Sequence, residues 1–154
     1  MIAARLLLLD TNVWVDYYLG EEKGKYAKRL IELAARGKTQ LLYTPTTAKD
    51  LFYLLPRRMR ENEEQDSKSY VPAAWGCINH LMQVATASPL SAAECELARM
   101  LGKRMPDLED NLIIASAETA KADYVVTSDK RMVKAMPEVC ITPERAVELV
   151  ELLS

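Results

Sequence analysis

The sequence predicts an α/β protein built on a parallel sheet covered on both faces. Three observations carry that expectation. Leu6-Leu7-Leu8-Leu9 is a short apolar run bounded by turn chemistry, as in a strand buried on both sides. Further short apolar runs follow, separated by stretches of helical spacing, which is the alternation of a parallel sheet. Acids sit at the ends of such runs, Asp10 after the leucines and Asp129 after Tyr124-Val125-Val126-Thr127-Ser128. Open α/β sheets place their ligands there.

In chain order, Asn12 to Leu19 predicts a short helix stopped by Gly20. Tyr26, Leu30, Leu33 and Ala34 recur at helical spacing, so Lys25–Ala35 is a helix with Gly37 as its stop. Leu41-Leu42-Tyr43 is a second strand. Thr44-Pro45-Thr46-Thr47 offers a Thr N-cap to a helix from Ala48 to Met59, which Pro56 is expected to kink or end. Arg57 to Ser69 is the most polar stretch, an exposed helix extension or an arm. A helix over Pro72–Met82 precedes a third strand in Gln83–Ala87. Ser91 and Glu94 form a capping box for a helix ending near Gly102. Helix Leu108–Lys121, strand Tyr124–Thr127, a short helix Lys130–Ala135, strand Val139–Ile141 and a helix opened by Thr142-Pro143-Glu144 complete the set.

Composition limits the function. A hydrophobic share of 49%, a charged share of 27% and a net charge of −2 suit a soluble globular protein. They argue against a purely electrostatic nucleic-acid binder, and they leave open an acidic pocket framed by local basic patches. Cys77, Cys95 and Cys140 lack paired spacing, as reduced thiols do. The N-terminal apolar run is too short for a signal peptide or a membrane span. The expectation is one cytoplasmic domain over residues 1–154, with no membrane association.

Each acid has a structural reading beside a functional one. Asp10 and Asp129 both precede helices and suit N-caps. Asp110 aligns with Ile113, Ile114 and Ala117, so its carboxylate lies beside a packed face, where desolvation is costly without a partner. Asp107 suits the N-cap of that helix, Glu109 is expected to point outward, and Asp16 is expected to be solvated. If Asp10, Asp110 and Asp129 meet at one sheet edge, their repulsion calls for a hard divalent cation, Mg²⁺ or Mn²⁺. The lone histidine, His80, is expected to be structural, which disfavours a His-based triad or zinc site. Trp14, Tyr17 and Tyr18 either stack on bases or fill the core.

Leu8-Leu9-Asp10-Thr11-Asn12, Asp110-Asn111-Leu112-Ile113-Ile114-Ala115-Ser116-Ala117 and Val125-Val126-Thr127-Ser128-Asp129, in this order, resemble the PIN domain family. Among its members the chain looks most like the small VapC-type toxins. The resemblance implies a three-layer α/β/α sandwich with a central, mainly parallel sheet. It also implies an endoribonuclease that cleaves RNA with carboxylate-bound Mg²⁺ or Mn²⁺. The family's acids map onto Asp10, Asp110 and Asp129, and a fourth, usually Glu, onto Asp50, whose reach is one methylene shorter. Thr11 and Asn12 are expected to fix the turn after the first strand. Thr127 and Ser128 are expected to orient Asp129 or a metal-bound water. Asp107 is a further residue of the site's surroundings. Lys130 and Arg131, with Arg57, Arg58, Arg60, Lys103, Arg104 and Lys134, are candidates to meet RNA phosphates. A homodimer and a small antitoxin partner are implied as well. The alternatives are a non-catalytic PIN-like module that binds RNA or protein, and a phosphotransferase using Asp10 as nucleophile. Asn12 disfavours the second, since such enzymes usually carry an acid there.

Overall fold

A computed structural model describes residues 5–20, 22–62 and 70–153. Its elements are β1 (Arg5–Leu9), α1 (Thr11–Tyr18), a 3-10 turn (Glu22–Gly24), α2 (Lys25–Ala35), β2 (Thr39–Tyr43), α3 (Pro45–Asn62) and α4 (Val71–Val84). They continue with β3 (Thr86–Ala87), α5 (Ala92–Leu101), α6 (Leu108–Thr119), β4 (Tyr124–Val126), α7 (Lys130–Ala135), β5 (Cys140–Ile141) and α8 (Pro143–Leu152). The strands form one sheet of order β3-β2-β1-β4-β5, parallel throughout.

Alternation along β1 explains why its leucines run without a break. Leu7 and Leu9 face a core shared with Trp14, Leu30, Leu51, Leu81 and Val150, from α1, α2, α3, α4 and α8. Leu8 faces the opposite way, into a core with Ile113, Ile114, Val125 and Met132 from α6, β4 and α7. Successive side chains of a strand point to opposite faces, so a central strand buried twice needs apolar residues at every position. Truncating Leu8 to Ala would cost about 2–5 kcal/mol by leaving a cavity. Trp14 is fully buried and donates its Nε1–H to the Leu9 carbonyl at 3.2 Å, so it belongs to the core and is no base-stacking platform. Tyr17 and Tyr18 pack against His80, and the Tyr18 hydroxyl lies 2.9 Å from His80 Nδ1.

The chain departs from β1 in two directions: β2 lies on one side and β4 on the other. That reversal is the crevice where parallel sheets hold ligands. Asp10 follows β1 and Asp129 follows β4, so the two acids straddle it.

The largest departures from the sequence-based expectation lie at α3 and α4. Helix α3 starts at Pro45, capped by Thr44 Oγ1, which accepts from Thr47 N at 3.2 Å. It runs through Pro56 to Asn62, so the start of the polar stretch is a helix extension. Helix α4 extends to Val84, which leaves only Thr86 and Ala87 to pair with β2. Residues 63–69, the acidic part of the polar stretch, lie outside the described residues. Gly20 and Gly37 both have positive φ (67° and 74°), a backbone shape that glycine adopts without strain after a helix.

Candidate active site

Asp10 is the most tightly held acid. Its Oδ1 accepts the backbone N–H of Thr11 at 2.8 Å, and its Oδ2 accepts the Thr127 hydroxyl at 2.8 Å and Asn12 Nδ2 at 3.3 Å. Its own N–H donates to the Val126 carbonyl at 2.9 Å, which locks the end of β1 onto β4. Asn12 completes the brace, since its Oδ1 accepts the N–H of Ser128 at 3.2 Å. Ser128 contributes through its backbone, and Thr127 is fully buried. Thr127 Oγ1 also accepts the N–H of Asp129 at 3.1 Å, so one hydroxyl ties two acids together. Thr11 bonds Thr47 through its hydroxyl at 2.8 Å, joining α1 to the start of α3. Burial pushes the Asp10 carboxyl up, its hydrogen bonds pull it down, and the charges of Asp129 and Asp107 push it up again.

Asp129 is the N-cap of α7 and accepts Arg131 N at 2.9 Å. Its partial burial would raise it, but hydrogen bonds from the Arg131 guanidinium and backbone hold it below the usual range. Asp107 caps α6 by accepting Asp110 N at 3.0 Å. Asp110 then sits in the first turn of α6, where burial, followed by repulsion from Asp107, Asp10 and Asp129, pushes it up to about 6.

Asp50 projects from α3, with Lys49 Nζ 2.8 Å from its Oδ1. Across from it stands Glu109. Glu109 is exposed, as expected, yet it lines the cavity: its carboxyl shares a hydrogen bond with Asp50, and that contact, ahead of burial, pushes it up to about 7. Side chains of a helix lean toward its N-terminus, so a residue two places after the Asp107 cap overhangs the sheet edge.

All of these acids except Asp107 line one cavity of about 610 Å³, and Asp16 lines it too. Its basic lining is Lys49, Arg57 and Arg58 from α3. Lys130 and Arg131, beside Asp129 in the sequence, do not line it, although the Arg131 side chain reaches Asp129 at 3.4 Å. Asp107 and Arg131 border a neighbouring hollow instead. Among the described residues, no three acid, histidine or cysteine side chains stand close enough to hold a metal ion as they lie. The donor set itself is all carboxylate oxygen, and its members raise one another, the chemistry that a hard divalent cation relieves. His80 lies apart from the cavity, bonded to Tyr18. No described helix is long and apolar enough to cross a membrane.

Comparison with known proteins agrees with the fold. The solved structure of PAE2754 from Pyrobaculum aerophilum is similar with a TM-score of 0.66 at 13% identity, over 97% of this chain and 98% of that one. VapBC-1 from nontypeable Haemophilus influenzae gives 0.62 at 14% identity, over 90% and 98%. VapBC2 from Rickettsia felis, solved bound to a DNA fragment from their promoter, gives 0.61 at 16% identity, over 89% and 98%. At such identities the likeness is one of fold. No curated protein matches the sequence. The family model described as the PIN domain matches residues 6–131, from the second residue of β1 past the Asp129 cap of α7. With that match over most of its length, the chain belongs to the PIN domain family.

Proposed function

We propose that this protein, acting as one domain over residues 1–154, is a metal-dependent endoribonuclease and the toxin of a toxin–antitoxin pair. The observation that carries the reading is the convergence of Asp10, Asp50, Glu109, Asp110 and Asp129 on one cavity at the switch point of the sheet. Asp10, Asp50, Asp110 and Asp129 are the residues to hold Mg²⁺ or Mn²⁺. When bound, such an ion lowers the pKa of water and stabilises charge on the scissile phosphate. The chain's own groups do the rest. Thr127 and Asn12 aim Asp10. Lys49, Arg57 and Arg58 hold phosphates over the cavity, and Lys130 and Arg131 hold them beyond Asp129. Contact with Asp50 pushes the Glu109 carboxyl up to about 7, so both its protonated and its ionised form are accessible near neutral pH. Glu109 can thus take a proton at its carboxylate oxygen from an attacking water, or return one to the departing oxygen.

An antitoxin partner belongs to this proposal, supported by the VapBC neighbours, and so does a homodimer. So does a cytoplasmic setting, supported by three free cysteines. A second reading, a non-catalytic PIN-like module that binds RNA or protein, is favoured by one observation, the spacing of the acids too wide to chelate an ion as they lie. One experiment separates them. Purified protein is incubated with a structured RNA, with Mn²⁺ or with a chelator, beside Asp10→Asn. The ribonuclease reading expects cleavage only by the parent and only with metal. Equal cleavage by Asp10→Asn, or none by the parent, rejects it.

A further inference from the structure

Beside the acidic cavity lies a second hollow of about 370 Å³, and Asp110 lines both. Its volume falls in the roughly 300–1,000 Å³ range of small-ligand sites. Its lining is of a different kind from that of the acidic cavity. Buried Met105 and Met132, with Pro106, give it an apolar floor. Arg104 forms a wall and is held still: its Nε and Nη2 donate to the Ala135 carbonyl at 3.1 and 2.9 Å, and its Nη2 also donates to Glu138 Oε2 at 3.1 Å. With those donors occupied, the guanidinium has its flat face to offer. At the rim, Asp107 uses Oδ1 to cap α6, which leaves Oδ2 as an acceptor. Arg131, whose side chain is 91% exposed, stands over the boundary beside Asp129.

These features select among ligand classes. The cations and thioethers do not suit a metal ion. The Asp107 and Asp110 carboxylates do not suit a free phosphate. A flat ring with polar edges suits all of it: an apolar floor, a guanidinium to stack on and a carboxylate to accept an N–H. We propose that this hollow is a nucleobase subsite, which takes the base of the nucleotide adjoining the scissile phosphate, with Arg104 as its stacking wall and Arg131 meeting the phosphate between the two cavities. The subsite rests on the ribonuclease reading for the ligand being part of an RNA chain. It makes Arg104, Met105 and Asp107 specificity determinants, with no part in bond cleavage.

The test has two arms. In the first, metal-free protein with labelled methionine methyl groups is titrated with 5′-GMP, AMP, CMP and UMP and followed by NMR. The Met105 and Met132 methyl signals are expected to move with at least one of the four, and Ala135→Phe, which fills the hollow, is expected to abolish the movement. No movement with any of the four, or movement unchanged in Ala135→Phe, overturns the subsite. In the second arm, cleavage of a random-sequence RNA pool and of bis(p-nitrophenyl) phosphate is measured with Mn²⁺ for the parent, Ala135→Phe and Arg104→Leu. A base preference at one position beside the cut is expected in the parent. Both variants should flatten it and lose tenfold or more in kcat/KM on RNA, with the small ester hydrolysed within twofold of the parent. Retained preference in both variants overturns the subsite. A parent that cleaves neither substrate overturns the ribonuclease reading instead, while the NMR arm still decides whether a base binds.

Discussion

The two sides of the acidic cavity are built differently. The side formed by the ends of β1 and β4 is braced: Asp10 accepts three hydrogen bonds, and Asn12 and Thr127 stitch its loop to that of Asp129. The side formed by α3 and α6 is held across the gap by its own acids, Asp50 against Glu109, with Lys49 alongside. The braced side is preorganised, so its geometry does not wait for a ligand. The opposite side carries Glu109, whose carboxyl is pushed up to about 7 by its contact with Asp50, so its charge changes near neutral pH.

Four predictions test this contrast. The largest effect is expected at Asp10. Asp10→Asn should lower RNA cleavage by roughly a thousandfold, the scale of removing a preorganised charged group. It should leave the melting temperature within about 3 °C, because losing one acceptor is offset by removing a buried charge. A variant that cleaves normally breaks the assignment of the braced side.

Next is Thr127→Val, which keeps the shape and deletes the hydroxyl shared by Asp10 and Asp129. Metal affinity measured by calorimetry should fall about 10- to 100-fold, as for other groups that aim a ligand. The stability lost should be about 1 kcal/mol. An unchanged affinity would mean that the brace does not matter.

The third concerns pH. Glu109 and Asp110 are raised in the folded protein to about 7 and about 6, from 4.5 and 3.8. Folded protein therefore binds more protons than unfolded protein between about pH 4 and 7. The stability they contribute is complete below pH 4 and is lost as pH rises through 6 and 7. Metal-free protein should thus melt lower at pH 8 than at pH 5. Glu109→Gln should remove part of that slope, on the order of 1 kcal/mol after discounting for solvent screening. A slope untouched by Glu109→Gln would remove the protonation switch from the α3–α6 side.

The smallest effect is expected for Lys49→Ala. Its partner Asp50 keeps Glu109, and a solvated ion pair contributes little. RNA affinity should change within about threefold, with the salt slope falling by about one if Lys49 meets a phosphate.

The same contrast governs what the sequence made legible. The braced side depends on local chemistry: a strand, an acid at its tip and a cap. The cap at Asp107, and the capping box in which Ser91 N donates to Glu94 Oε1 at 2.9 Å, are visible for the same reason. The opposite side depends on where α3 and α6 pack. Glu109 reads as solvent-facing until α6 is placed over the sheet edge. Arg57 and Arg58 are no nearer Asp10 in sequence than many other cations, yet they line its cavity. The α4–β3 boundary is not legible in the sequence because a strand of two residues has no period of its own. Its position is set by pairing with β2.

Pro56 has one more consequence. Lacking an N–H, it gives nothing to the Phe52 carbonyl one turn earlier, so α3 is a rung short midway along its length. Bending concentrates at such gaps. Asp50 lies before the missing rung, and Arg57 and Arg58 lie after it. Any bending of α3 at that gap would shift Arg57 and Arg58, on the rim of the cavity, relative to Asp50 on its floor.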